Sequence, residues 1–537
     1  MFEDKIKELI SKSTSLKKQE IVLEKPKQNF GDYAFPCFIL AKKLKKSPVE
    51  IAKEIKNKIK LAKGIEKVEN VGGYLNFFID KKGFAEAILK NLTKPKPRKK
   101  RIVLEHTSVN PNASPHVGRA RNSVIGDSIK RILEFQGYNV ETHYYVNNVS
   151  KQIAMLALVF RQRDGFNNLL KKYIEISKKV KNDPKLERKV FDLLNKFERG
   201  DKKTVAKFNR IVKTAISGQK KIFKDIGIKF NYFDYESTYI EPAKKIIKEL
   251  QKTGKVIKDE EGRLILDQKG TGLDKKMRCP VLVLTRSDGT GLYILRDLAY
   301  TLEKIKKGEN IIVLGEDQKL YFEQLKQALI LMKKDYPKVV HYSFVLLKHV
   351  GKMSTRKGDV VLLEDFLDKV YEKAKQEVRK RGTKGNPRRI AIAAIKYSML
   401  KNDNNRSIIF DLDEALRFEG DTGPYLLYSY ARASSILRKV KKKVGATRIK
   451  NLKEEEIKMI KKIGEFSEVV EKAHQQFAPN LIANYSYELA SIFNEFYHSC
   501  PVIGSKEESQ RLAIVKATRE TLRNALKLLG IDTLEEM

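Results

Sequence analysis

Residues 101–146 read RIVLEHTSVNPNASPHVGRARNSVIGDSIKRILEFQGYNVETHYYV. RIVLEH is a short apolar strand and SVNPNAS a turn-rich loop. A helix is expected from about Ser114, with serine as N-cap and Pro115 at the first helical position. Gly137 is an ordinary helix stop, and NVETHYYV is the next strand. Strand, helix, strand in so short a span predicts two parallel strands joined by a right-handed crossover.

Glycine weakens a helix and histidine is an average helix former, so His116 and Gly118 in a first turn need another reason. Free N–H groups and the helix dipole attract phosphate at that spot. Gly118 lets a flat group such as adenine approach the backbone, and His116 can donate to a phosphate oxygen. Neither G-x-x-x-x-G-K-S/T nor a strand-linked G-x-G-x-x-G is present, which excludes a P-loop and disfavours a dinucleotide fold. The bland alternative is a buried structural histidine.

Working outward, KPKPRKKR at 94–101 is the clearest linker, because alternating prolines and a charge run resist packing. Before it lies a small unit with helix-like ends at 2–12 and 48–63 and the strand-like GGYLNFFI at 72–79. Residues 160–260 are charged and read as a mostly helical insertion. VLVLT (281–285), IIVLG (311–315) and YSFVLL (342–347) are expected to resume the parallel sheet. From about 424 onward every segment has helical period, the mark of an all-helical domain.

Lys and Arg number 109 against 67 Asp and Glu, a formal charge of +42 spread along the 537 residues. Such a field favours a polyanionic partner, nucleic acid before acidic membrane; a lysine-rich, thermophile-like composition is the alternative source. No apolar run approaches a membrane span, and no signal peptide is evident. Cys37, Cys279 and Cys500 are far apart, which excludes a zinc ribbon or disulfide framework and fits a reducing cytosol.

A second constellation, GKMSTRKGDVVLLEDFL (351–367), crowds Lys352, Arg356 and Lys357 into a glycine-flanked loop. It could be a solvated basic loop. A cationic loop of this kind also suits phosphate chemistry, where it stabilises charge as pyrophosphate leaves.

HVGR and KMSTR resemble the His-x-Gly-His and Lys-Met-Ser-Lys-Ser signatures of class I aminoacyl-tRNA synthetases. VNPNASPHVGRARNSVIGD, YYVNN, RSDGTGLYILRDLAY, KMSTRKGDVVLLEDFLD and FEGDTGPYLLYSYARASSIL narrow the resemblance to arginyl-tRNA synthetase. It extends from NFGDYAF near the start to the closing LLGIDTLEEM.

The resemblance implies an α/β Rossmann-type parallel-sheet catalytic domain with helical insertions, a small α+β N-terminal domain and an all-α anticodon-binding bundle. The expected divisions are 1–93 (tRNA-contacting), 94–101 (linker), 102–405 (catalytic, with a helical insertion at about 155–270) and 406–537 (anticodon-binding). It also implies activation of L-arginine by ATP and transfer to tRNA(Arg), in a cytoplasmic monomer. Magnesium would arrive with ATP, and no protein-built metal site is expected.

For ATP, the matched positions are His116, Gly118, Arg119, Lys352, Met353 and Ser354; His116, Arg119, Lys352 and Arg356 are expected to act in catalysis. Glu105 and Asn110 would hold the α-amino and carboxylate ends of arginine, and Tyr293, Asp297 and Gln324 its guanidinium. Tyr293 and Asp297, four apart, share a face if helical, and carboxylates suit a guanidinium independently of any resemblance. The alternative for Asp297 is an intrahelical pair with Arg296 or a nearby lysine.

Tyr425 and Tyr428, joined by Tyr497 and Met537, match the anticodon site; the two tyrosines could instead pack a bundle core. Three positions depart from the pattern: Arg119 replaces the second signature histidine, Thr355 the second loop lysine, and Asn148 a common aspartate. Rival readings are another class I synthetase, for instance cysteinyl, or a synthetase-like protein that binds RNA without charging it.

Overall fold

The computed structural model describes residues 2–26, 30–62, 64–90, 97–348, 361–440, 449 and 451–537. They form two compact units: one of residues 1–92, 436–464 and 492–518, the other of 93–435, 465–491 and 519–537.

In the first unit a three-stranded antiparallel sheet runs Tyr33–Pro36, Tyr74–Ile79, Ile65–Val71 in spatial order. Helices Phe2–Ser13 and Pro48–Lys58 accompany it; Ser47 and Glu50 close a capping box before Pro48. Ile6, Ile10, Phe35, Leu75 and Phe77 are buried together in its core. Elsewhere in this unit Arg511 makes a buried ion pair with Glu456.

In the second unit the elements that position the site are, in chain order, β1 (Arg101–Thr107), α1 (Val117–Phe135), β2 (Asn139–Val146), α2 (Lys202–Asp225) and β3 (Tyr232–Tyr235). Next come α3 (Tyr293–Lys307), β4 (Glu309–Gly315), α4 (Lys319–Leu331), β5 (Lys338–Tyr342) and β6 (Val345–Leu347). The set closes with α5 (Pro387–Leu400), β7 (Ile408–Phe410) and α6 (Gly423–Lys439), of which residues up to Ser435 belong to this unit. Five parallel strands pair in the order β5-β4-β1-β2-β3, so the chain switches direction across the sheet at β1. In α/β sheets such a switch opens a crevice beyond the carboxyl ends of the strands. Helix α1 backs closely onto β1: a Cβ at Gly126 would lie 2.2 Å from the His106 ring, so only glycine fits there.

Several expectations need correction. The helix after the loop begins at Val117, with His116 as an extended N-cap whose side chain makes no capping bond. Ser114 does not cap it, and Pro115 is not helical. The backbone there is committed elsewhere: Val117 N–H donates to Val361 O (3.1 Å) and Leu363 N–H to Pro115 O (2.8 Å), around a His116–Leu362 bridge.

VLVLT does not join the parallel sheet. Val281–Val283 instead pairs antiparallel with Leu264–Asp267, itself paired with Val256–Lys258. The sheet takes β3 in its place, from inside the span read as helical. YSFVLL splits: Tyr342 ends β5, while β6 pairs in parallel with β7 in a separate two-stranded ribbon.

Residues 519–537 are stitched to the sheet-bearing body. Ser128 Oγ donates to Leu528 O (2.8 Å), Lys396 Nζ to Gly530 O (2.7 Å) and Arg389 to Thr533 O (3.0 Å). Tyr430 OH donates to Glu535 (2.8 Å).

Candidate active site

Beyond the carboxyl ends of β1 and β4 lies a cavity of about 570 Å³. Its walls include Glu105 from the end of β1, Asn110 from the loop, and His116, Gly118 and Arg119 from the start of α1. Tyr293 and Asp297 enter from α3. Seven expected site residues, spread over 192 positions of sequence from Glu105 to Asp297, therefore face one space.

The inner end is crowded with carboxylates. Glu105 is ion-paired with Lys304 of α3, the two side chains 9% and 1% exposed. Asp297 accepts from Tyr321 OH at 2.5 Å, and burial together with the nearby negative charge of Glu105 pushes its carboxyl up to about 6. Glu236, which follows β3, accepts from Arg296 Nε at 2.6 Å. Burial raises it to about 7, and its second oxygen is buried without a hydrogen bond. Three acids thus face two bases, Lys304 and Arg296, and the balance favours a cationic guest.

Asp297 does not pair with Arg296, which turns to Glu236 and Glu198. Tyr293, 53% exposed, stands over Tyr321 with ring centroids 5.2 Å apart.

Gln324 does not line this cavity. Its Nε2 donates to Val281 O (3.0 Å), and its own carbonyl accepts from Gln268 (2.7 Å). One turn earlier on α4, Tyr321 faces the cavity instead. Sequence reasoning missed Tyr321, Glu236 and Lys304. Tyr145, in YYVNN, also lines the cavity, and its buried hydroxyl has no hydrogen-bond partner.

The loop 109–113 is fastened by the inserted helix α2: Gln219 donates to Asn110 O (3.2 Å) and Ala113 O (2.8 Å) and accepts from Tyr144 OH (2.8 Å). Asn148 uses both ends of its amide on Ser237, accepting from its N–H and donating to its hydroxyl, each at 2.9 Å. An aspartate could keep both contacts only as an acceptor, with the Ser237 hydroxyl turned to donate.

At the outer end, burial and the neighbouring Arg119 charge lower His116 to about 4, so the imidazole is neutral near pH 7. Its Nδ1 is buried without a partner. Arg119 faces Asp317 at 3.8 Å, the two side chains 37% and 46% exposed. Lys352, Met353, Ser354 and Arg356 lie outside the described residues, as does Thr355. The stretch that follows them is placed: Val361–Leu363 is the segment bridged to Pro115–Val117.

Of the expected anticodon residues, Tyr425 and Tyr428 are half-buried on α6. Tyr425 lies 5.8 Å from the Tyr487 ring, and Arg432 both covers the Tyr428 ring at 4.7 Å and donates to its hydroxyl (2.8 Å). Met537 is half-buried, its side chain near Gly385. Tyr497 belongs to the other unit, 40% exposed beside His498.

The family model for class I tRNA synthetases (R), catalytic domain, matches residues 85–412. The arginyl tRNA synthetase N terminal domain matches 1–79 and the DALR anticodon binding domain 426–537. The chain belongs to the arginyl-tRNA synthetases.

It is 37% identical to an arginine–tRNA ligase of Methanocaldococcus jannaschii across 98% of this chain and 97% of the relative. To the corresponding ligase of Methanothermobacter thermautotrophicus it is 36% identical across 96% and 95%. The Thermus thermophilus arginyl-tRNA synthetase superposes over the full length of both chains with a TM-score of 0.85 at 27% identity. As an arginyl-tRNA synthetase the chain is an enzyme, a ligase whose class I catalytic domain uses ATP. The full-length match decides against the cysteinyl alternative.

Proposed function

We propose that this chain activates L-arginine and transfers it to tRNA(Arg), with the roles divided between the two ends of the cavity. The observation that carries the assignment is the acid surplus at the inner end, where Asp297 and the open oxygen of Glu236 suit a guanidinium. Glu105 and Asn110 take the α-ammonium and carboxylate, Glu105 held in place by its ion pair with Lys304. Tyr293 covers the side-chain end, and Tyr321 orients Asp297 through its hydroxyl.

In activation, a carboxylate oxygen of arginine attacks the α-phosphorus of ATP. The bond to the bridging oxygen breaks, and pyrophosphate leaves with the electron pair. His116 offers a neutral hydrogen-bonding group to the nucleotide, Gly118 gives it room, and Arg119 supplies fixed positive charge. Lys352, Met353, Ser354 and Arg356 act on the nucleotide from the adjoining segment, and magnesium enters with the triphosphate. In transfer, a terminal ribose hydroxyl of the tRNA attacks the arginyl carbonyl carbon and AMP leaves. No side chain is required as a nucleophile; positioning and electrostatics do the chemistry.

Tyr425, Tyr428, Tyr497 and Met537 contact the anticodon region, and residues 1–93 contact the tRNA elsewhere. The enzyme works as a cytoplasmic monomer; among the described residues no helix is long and apolar enough to cross a membrane. Aminoacylation of total tRNA with labelled arginine, with labelled lysine as control, tests the reading. Charging with arginine alone supports it, and charging with neither overturns it.

A further inference from the structure

Two residues after Arg119 the same helix carries a second arginine that the roles above leave unused. Arg121 is fully buried, 0% exposed, on the face of α1 away from the cavity wall. Its four hydrogen bonds all go to main-chain carbonyl oxygens rather than to a carboxylate. They reach Ser343 (2.8 Å), Met399 (3.4 Å), Asp403 (2.9 Å) and Arg406 (2.7 Å). Burial lowers the guanidinium to about 10, so it is still a cation near neutral pH. One planar fork thus collects oxygens from the β5–β6 connection, the end of α5 and the 403–406 turn.

Ser343 is the partner that matters for chemistry. Its neighbours Tyr342, Phe344 and Val345 all line the cavity, at the end shared with His116 and Arg119. The wall they form has little else behind it from the sheet, since β5 ends at Tyr342 and β6 pairs only with β7. It is held from behind: Ser343 N–H donates to Asn404 O (2.9 Å), and its hydroxyl bonds Glu316 and Asn405 O (both 2.6 Å). Arg121 therefore ties the nucleotide-side wall directly to the helix that follows the His116 cap and carries Gly118 in its first turn.

We infer that Arg121 is a positioning residue for ATP: through Ser343 it fixes the distance between the 342–345 wall and the start of α1. The inference rests on the assignment of ATP to that end of the cavity. Lysine retains the charge but has three donors on one atom, and cannot span carbonyls of three segments.

ATP–pyrophosphate exchange, with total tRNA present, is measured on the intact enzyme, Arg121→Lys, Arg121→Met and Ser343→Ala. The expected result for Arg121→Lys is a kcat/KM for ATP lowered about 10- to 100-fold with KM for arginine within twofold, since misplacement of about an ångström has effects of this size. Ser343→Ala keeps the carbonyl and loses only the hydroxyl bonds, so it shows the same selectivity for ATP in smaller measure. A purely structural arginine would lower Tm and the active fraction while leaving both KM values unchanged, and that outcome overturns the inference. Should Arg121→Met not fold, the lysine variant still decides. An intact enzyme that exchanges ATP with arginine while the variants match it refutes the role of Arg121 alone; an intact enzyme inactive with arginine refutes the assignment of the site.

Discussion

The two ends of the cavity are built on opposite plans. At the inner end the charged groups are buried and mutually fixed: Lys304 on Glu105, Tyr321 on Asp297, Arg296 on Glu236. At the outer end the cation, Arg119, is partly exposed and faces its acid at 3.8 Å. Buried, fixed acids select a guest by the cost of leaving them unpaired, which is a source of specificity. A partly exposed arginine that meets its acid only at 3.8 Å and otherwise leans on the Tyr342 hydroxyl can turn to a phosphate. Selection is thus prebuilt at one end, and charge that answers the leaving pyrophosphate is left adjustable at the other.

The largest expected effect tests the adjustable end. Arg119→Ala should lower the rate of arginine activation on the order of 10²–10³, as for loss of one preorganised donor, with Arg119→His recovering much of it. Activation within a few-fold of the parent in ATP–pyrophosphate exchange would leave Arg119 as a structural partner of Asp317 and Tyr342.

The fixed end is probed by Asp297→Asn, which keeps shape and removes charge. KM for arginine should rise about ten- to a hundredfold while KM for ATP holds. An unchanged arginine KM would make Asp297 structural.

The raised acids add a pH dependence. Arginine is a cation throughout, so binding needs Asp297 and Glu236 ionised; with values near 6 and 7, KM for arginine should rise as pH falls from 7.5 towards 5. Tyr321→Phe removes a donor to the ionised carboxylate, and should move the Asp297 break upward by roughly one pH unit. A flat profile from 5 to 8 would mean the acids are compensated by groups other than the substrate.

Tyr428→Ala is expected to raise KM for tRNA by about 1–3 kcal/mol in binding, with arginine KM unmoved. A fall in Tm without change in tRNA KM would identify the ring under Arg432 as packing. The smallest distinction concerns the +42 charge: log affinity for tRNA should fall linearly with log salt if phosphate contacts use it.

How legible this was depended on how local the cause is. The β1–α1–β2 unit could be read because period, proline and glycine act over a few residues. β3 could not: YFDY has no alternation, and as an edge strand none of its four residues is fully buried. The apolar run of Val281–Val283 carries no mark of strand direction, so parallel and antiparallel partners looked alike. Ser114 failed as a cap because the backbone beside it bonds a segment about 250 residues later, and tertiary pairing overrides local preference.

Within the site, Glu105 and Asp297 were visible through motifs, whereas Glu236, Lys304 and Tyr321 acquire meaning only when β3, α3 and α4 meet. Gln324 shares a helix with Tyr321, which lines the cavity, but bonds Val281 in the neighbouring β-structure.

The stitching of residues 519–537 onto α1, α5 and α6 has a consequence for how the protein is made. A ribosome releases these residues after every strand of the sheet has emerged. Until then Lys396, buried beside Asp127 in the finished fold, lacks the Gly530 carbonyl that accepts from it. The unit that holds the cavity therefore gains these contacts only after all of its strands have been made, and a nascent chain short of residue 530 leaves Lys396 with Asp127 but without the Gly530 carbonyl.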